Sequence, residues 1–186
     1  MANAGTQSII KHMIKEHRVS ILAIIEPMIK PKPEYFSRRF GLQYKGCNEN
    51  EQIWIFVENG VEVDEWDISE QVLHGRFSTL EHPTPFHLSI VYGKCSRAGR
   101  LPLWDKLREI AARMEGVPWL VGGDFNTFVS EEERQGSNLN RIGEMMDFAD
   151  VINECQLLDL GADGSKFTWS IGETFERLDR ALIGEG

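Results

Sequence analysis

The stretch Trp119–Phe128, "WLVGGDFNTF", drives an apolar, strand-like run straight into Asp124, with Asn126 two places on. A carboxylate at the end of a buried strand is costly unless something pairs with it. A metal ion is one such partner, and a set of hydrogen bonds is another. A second stretch repeats the pattern. Val19–Pro27, "VSILAIIEP", is a continuous isoleucine-rich run that reads as a buried strand, ends in Glu26 and is stopped by Pro27. Two acids that each close an apolar strand suit a hard divalent cation such as magnesium, which takes one or two carboxylates and fills its shell with water and substrate phosphate. Asn126 points to the same side as Asp124 if the strand continues. The competing reading makes Glu26 and Asp124 helix caps or turn residues.

Around these strands the periodicity alternates. Ile9, Ile10, Met13 and Ile14 predict an amphipathic helix over residues 6–17. "PMIKPKPEYF" (Pro27–Phe36) reads as a proline-punctuated loop. Gln52–Trp66 reads as two strands joined by an Asn59-Gly60 hairpin turn. "VLHGRFSTL" (Val72–Leu80) and "FHLSIVYGKC" (Phe86–Cys95) read as two more strands, separated by a loop with Pro83 and Pro85. Trp104, Leu107, Ile110, Ala111 and Met114 form a helical stripe, and Ile142, Met145, Ala149 and Ile152 form another. "SEEERQGSN" (Ser130–Asn138) reads as a polar loop, and "KFTWS" and "ERLDRALI" as late short strands. Trp54, Phe56, Ile90, Leu120 and Val121 are the expected core. Helices at the two ends and strands in the middle suit a layered α/β protein with mixed sheets.

The totals bound the function. A length of 186 residues predicts a single domain, 1–186. Hydrophobic residues make up 41% and charged residues 26%, the balance of a soluble globular chain. No apolar run is long enough to span a bilayer and the start lacks a signal-peptide core, so no membrane partner is expected. Three cysteines without CxxC spacing read as reduced thiols of an intracellular protein, nuclear or cytoplasmic, with Cys155 packed on a helix face. The net charge of -9 argues against a nonspecific nucleic-acid coat protein but leaves a carboxylate-based nuclease open. The basic segments "SRRF" (Ser37–Phe40) and "SRAGR" (Ser96–Arg100) read as solvated loops. The glycines of "VGGDFN" lack the GxGxxG spacing of a dinucleotide-binding fold.

"GGDFNT" resembles the GDxN motif of the endonuclease/exonuclease/phosphatase superfamily, the DNase-I-like proteins. The nearer likeness is to endonuclease domains of plant LINE-type (non-LTR) retrotransposons. "ILAIIEP", "IWIFVE", "FHLSIVYG", "WLVGGDFNTFVSEEERQG", "LLDLGADGSKFTWS" and "RLDRALI" carry it in order along nearly the whole chain. The resemblance implies a four-layer α/β/β/α sandwich of two mixed sheets flanked by helices, and magnesium- or manganese-assisted phosphodiester hydrolysis on nucleic acid. By position, Glu26 matches the metal-binding glutamate, and Asp124 the aspartate that positions or activates water, here also taken as a metal ligand. Asn126 matches the asparagine beside it, Tyr92 a tyrosine on the phosphate, and Asp179 an aspartate that orients a catalytic histidine. Taken alone, Tyr92 is an ordinary strand-end aromatic and Asp179 an ion-pair partner of Arg177 or Arg180.

The departures are as specific. The family's first strand, with its metal-binding asparagine, has no counterpart before Thr6, and none of His12, His17, His74, His82 and His87 matches the histidine of the family's last strand. Cys95 stands near a family asparagine. The expected fold is therefore incomplete, with a second copy or a protein partner covering the missing strands. Two functions follow: a metal-dependent phosphodiesterase with little or no independent activity, or a non-catalytic retrotransposon-derived binding or regulatory protein. His87, on the same expected strand as Tyr92, is the first candidate to replace the histidine.

Overall fold

In a computed structural model of the chain, the structure describes residues 1, 3–80, 84–136 and 140–184. His82, Pro83 and the last two residues of the Ser130–Asn138 segment lie outside the described residues. The chain is α/β, with one antiparallel and one mixed main sheet flanked by helices. It divides into two compact units, residues 1–86 and 87–186. No helix among the described residues is long and apolar enough to cross a membrane.

In the first unit, α1 (Ala4–Glu16) starts at Asn3, whose side chain accepts from the Gly5 N–H at 2.8 Å, an ordinary N-cap. β1 (Ile21–Ile25) pairs antiparallel with β3 (Ile53–Val57), and β3 pairs with β2 (Gln43–Cys47). All five residues of the central strand β3 are buried. Trp54 and Phe56 point from it into a cluster with Ile14 of α1 and with Phe36 and Phe40 of α2 (Pro33–Phe40). The loop expected from "PMIKPKPEYF" holds over residues 27–32, but from Pro33 onward, and through "SRRF", the chain is helix. Pro33 takes the first helical turn, where its missing N–H has no intrahelical partner anyway, and Phe36 and Phe40 give the next two turns a buried face.

The Asn59-Gly60 turn is real, but it does not make a hairpin. β4 (Val61–Ile68) pairs with β5 (Val72–Thr79), not with β3. The turn closes with the Val61 N–H on the Glu58 carbonyl, and only Gly60 has a positive φ, 93°. A hairpin turn of the favoured type needs positive φ at both central residues, whereas a single one at the second position lets the strands splay.

In the second unit, β6 (Phe86–Tyr92) runs parallel to β7 (Trp119–Asp124). The connection is α3 (Arg97–Ala111), as a parallel pair requires. β12 (Asp179–Gly184) lies between β7 and β9 (Leu157–Asp159), antiparallel to both. "SRAGR" is not a solvated loop: Ser96 caps α3 and Arg100 is 1% exposed. α4 (Ile142–Glu154) buries Phe148 and Val151, while Ile142 of the expected stripe is 46% exposed. Phe148 stacks on Trp104 of α3 and on Phe125, with ring centroids 5.1 and 4.7 Å apart. That stack selects the face of α4. The polar segment after β7 becomes a 3-10 turn (Glu131–Glu133) and β8 (Arg134–Gln135). β8 pairs with β11 (Thr174–Glu176), which pairs with β10 (Trp169–Ile171). Of the expected core, Trp54, Phe56, Ile90 and Val121 are buried and Leu120 is half-buried.

Candidate functional site

The strand ends of the second unit place three of the expected residues in one row. In the β6–β7 register Tyr92 faces Asp124, and in the β7–β12 register Asp179 faces Asp124. Residues directly opposite on neighbouring strands share a face, with Cβ atoms about 4.5–5.5 Å apart. The row therefore runs Tyr92, Asp124, Asp179. The parallel ladder continues one step past it, where the Gly93 N–H donates to the Asp124 carbonyl at 2.7 Å.

Gly123 makes the row possible. Its φ is 142°, and a Cβ there would lie 2.1 Å from the Val91 carbonyl oxygen. Only glycine lets β7 approach β6 this closely just before Asp124.

Asn126 completes the site through local bonds. Its backbone N–H donates to Asp124 Oδ1 at 2.8 Å, and its Nδ2 donates to Asp124 Oδ2 at 3.2 Å and to the Gly93 carbonyl at 2.8 Å. Asp124 is thus a turn-former as well as a strand-end acid. A carboxylate carries about four lone-pair sites in all, enough for a cation or a proton beside hydrogen bonds. Asn126 has φ 51°, a left-handed conformation that asparagine tolerates better than most residues.

Two arginines hold the other side of Asn126. Its carbonyl accepts from Arg100 Nη1 at 3.0 Å and from Arg141 Nη2 at 3.1 Å. Both arginines pair with Glu144, and Arg141 also pairs with Glu176 at 2.9 Å. Burial pushes the Arg100 guanidinium below its ordinary value, against the opposing pull of Glu144. A second group lies alongside. Arg177 and Arg180 both pair with Glu133 and with Asp159. They do not pair with Asp179, so the ion-pair reading of that residue is corrected. Burial raises the Glu133 carboxyl, but the bonds from Arg180, the Val129 N–H and Arg177 outweigh it and hold the group below its usual range.

Sequence reasoning missed these arginines, and also Thr168. Its Oγ1 accepts from the Leu178 and Asp179 N–H groups at 3.0 and 3.1 Å and so fixes the start of β12. The signal in the sequence was weak: Arg180 and Glu133 are 47 positions apart.

Glu26 belongs to the first unit. It stands just beyond β1 with φ 48°, its N–H donating to the Gln52 carbonyl at 2.9 Å. His87 is excluded as a stand-in. It is the second residue of β6, opposite Trp119, whereas Tyr92 closes the same strand. They are five positions apart along the strand, about 16 Å and on opposite faces of the sheet.

Among the described residues no group of three or more His, Cys, Asp or Glu side chains is arranged to hold a metal. The pair Asp124 and Asp179 still fits magnesium, which binds through one or two carboxylates and keeps several waters.

No protein-family model and no curated protein matches the chain. Solved structures do. The endonuclease domain of TRAS1, a telomere-specific non-LTR retrotransposon, is 14% identical over 98% of this chain and 81% of its own, with a TM-score of 0.65. The human Nocturnin catalytic domain with bound sulfate is 15% identical over 98% of this chain and 76% of its own, with a TM-score of 0.63. An endonuclease/exonuclease/phosphatase family protein from Bacteroides thetaiotaomicron is 13% identical over 96% of this chain and 74% of its own, with a TM-score of 0.61. At these identities the likeness is one of fold, and the fold of this chain is that of endonuclease/exonuclease/phosphatase family proteins.

Proposed function

We propose that the chain is a phosphodiester-acting domain of retrotransposon-endonuclease lineage, whose second unit uses the Tyr92–Asp124–Asp179 row and Asn126 on a phosphate of nucleic acid. The register that makes Tyr92 and Asp179 the two cross-strand neighbours of Asp124 is the observation that supports it. A phenol can donate to a phosphate oxygen, and a carboxylate can take a proton from water. Asn126 holds the Asp124 carboxylate oriented from two of its nitrogens. Magnesium or manganese, when bound at Asp124 and Asp179, offsets charge on the phosphate. Glu26 is assigned to the metal by family likeness, and its own test is the metal affinity of Glu26→Gln.

Hydrolysis by these 186 residues alone is slow in this reading. The second unit's one histidine, His87, is at the far end of β6 from the row, so no imidazole of that unit reaches it. Rate comes from binding the transition state more tightly than the substrate, and metal binding alone does not supply that difference. The same observation favours a second reading, a binding or regulatory protein that has kept the row without turnover.

The test is nicking of plasmid and abasic-site DNA with magnesium, by the wild type and by Asp124→Ala. Slow nicking lost in Asp124→Ala is expected for the first reading. DNA retention with no nicking selects the second. Robust nicking abolished by Asp124→Ala would overturn the slow-hydrolysis part, and nicking indifferent to Asp124 would remove the site.

A further inference from the structure

We infer that Arg100 and Arg141 are positioning residues: they converge on the Asn126 carbonyl and, through Asn126, set where the Asp124 carboxylate stands. The inference rests on reading the Asp124 row as a phosphodiester site.

Asn126 is gripped from two sides. Its N–H and side-chain amide hold the Asp124 carboxylate, and its carbonyl accepts from both arginines. A left-handed residue other than glycine relaxes readily unless its surroundings over-determine it. The N–H and the carbonyl of Asn126 lie on successive peptide planes joined at its Cα, so leaving the left-handed conformation needs those two planes to turn against each other, with the N–H held on Asp124 and the carbonyl held on the arginines. The two guanidiniums oppose that rotation.

Arg100 also joins the two loops that leave the site strands. The same Nη1 that reaches Asn126 donates to the Lys94 carbonyl at 2.8 Å and the Cys95 carbonyl at 3.0 Å. One buried nitrogen therefore ties the loop after Tyr92 to the loop after Asp124. Arg141 approaches from the start of α4, and its other donors reach Glu144 and Glu176. Only a planar fork of five donors can serve a carbonyl and two carboxylates at once.

A merely structural ion network predicts something else. Arg177 has the same chemistry, bonding Glu133 and Asp159 at 2.9 and 2.8 Å, yet it makes no bond to Asn126. If the network only stabilises the fold, all three arginines behave alike.

The experiment compares Arg100→Lys, Arg141→Lys and Arg177→Lys in the full chain, by amide hydrogen exchange at Asn126 and by manganese titration calorimetry. Arg100→Lys and Arg141→Lys should speed exchange of the Asn126 N–H while that of Val121 stays protected. They should weaken manganese binding by about 10–100-fold, the usual effect of losing an outer-shell partner. Arg177→Lys should lower the melting temperature and leave both readouts unchanged. Unchanged Asn126 exchange in the first two variants, or the same change in Arg177→Lys, would overturn the inference. If Arg100→Lys does not fold, Arg141→Lys decides, since that side chain is 17% exposed. If the wild type binds no manganese, the phosphodiester reading falls, and exchange at Asn126 alone decides the role of the arginines.

Discussion

Asp179 stands opposite Asp124 as its register partner across the antiparallel β7–β12 ladder. Like charges directly opposite on paired strands destabilise a sheet. In the proposed phosphodiester site, a divalent cation would relieve that repulsion.

Stability and metal affinity should therefore respond to Asp179→Asn with opposite signs. Without metal, the variant should be more stable than the wild type by about 0.5 kcal/mol in urea unfolding. Its manganese affinity should fall by roughly tenfold or more. Magnesium should raise the wild-type melting temperature and move that of Asp179→Asn less. A variant that loses stability in metal-free buffer would show that Asp179 holds β12 in place and carries no metal.

The two glycines before Asp124 should not be equivalent. Gly123→Ala forces a Cβ onto the Val91 carbonyl in a backbone conformation that alanine resists, and should cost about 3 kcal/mol or prevent folding. At Gly122 the nearest atom to an added Cβ is the Arg180 carbonyl oxygen, 3.7 Å away. Gly122→Ala should stay within about 0.5 kcal/mol of the wild type. Denaturant midpoints of the two variants read the contrast directly.

Acid should attack the carboxylates of the arginine network. Glu133, Glu144 and Asp159 all sit below their ordinary values, because arginine bonds outweigh burial. A depressed carboxyl gives stability that is fully present above its unfolded value and is lost as pH falls through the folded one. Unfolding free energy contributed by these groups should be flat from pH 7 to about 5 and decline below about 4.5. Glu133→Gln should be less stable at pH 7 and show a shallower decline. An equal slope in wild type and variant would rule out Glu133 as a contributor.

Thiol chemistry should separate the three free cysteines. Burial pushes the Cys155 thiol up to about 11, and Cys95 is exposed. A disulfide reagent at pH 8 should modify Cys95 first and Cys155 only on unfolding. Modification of Cys155 at the rate of Cys95 would mean that the end of α4 opens in the native state.

The site strand was legible because its sequence allows few readings. Trp119–Asp124 is apolar enough to be a strand and too short to be a helix, and Gly-Gly-Asp leaves it only one way to end. Where the reading failed, one residue carried two meanings. Pro33 breaks a helix from inside and starts one at its first turn, and only the burial of Phe36 and Phe40 decides which. Asn59-Gly60 favours a hairpin when both residues turn left-handed, but here only Gly60 does. Arg100 and Arg141 look like surface charge because most of their partners, Asn126 for both, Glu144 for Arg100 and Glu176 for Arg141, are brought to them by the fold. Local pattern cannot record that, and Arg100 is 44 positions from Glu144.

The strand order of the second unit also bears on its synthesis. β12, residues 179–184, is the element that joins β7 to β9. While residues 160–184 leave the ribosome's exit tunnel, over seconds, both strands stand outside with no partner between them. Each offers an open edge for that interval. Nascent chains stalled with residue 170 outside the exit tunnel should be cut by protease within β7 or β9, and those stalled with residue 184 outside should resist. Equal resistance at the two lengths would mean that the sheet closes another way before β12 arrives.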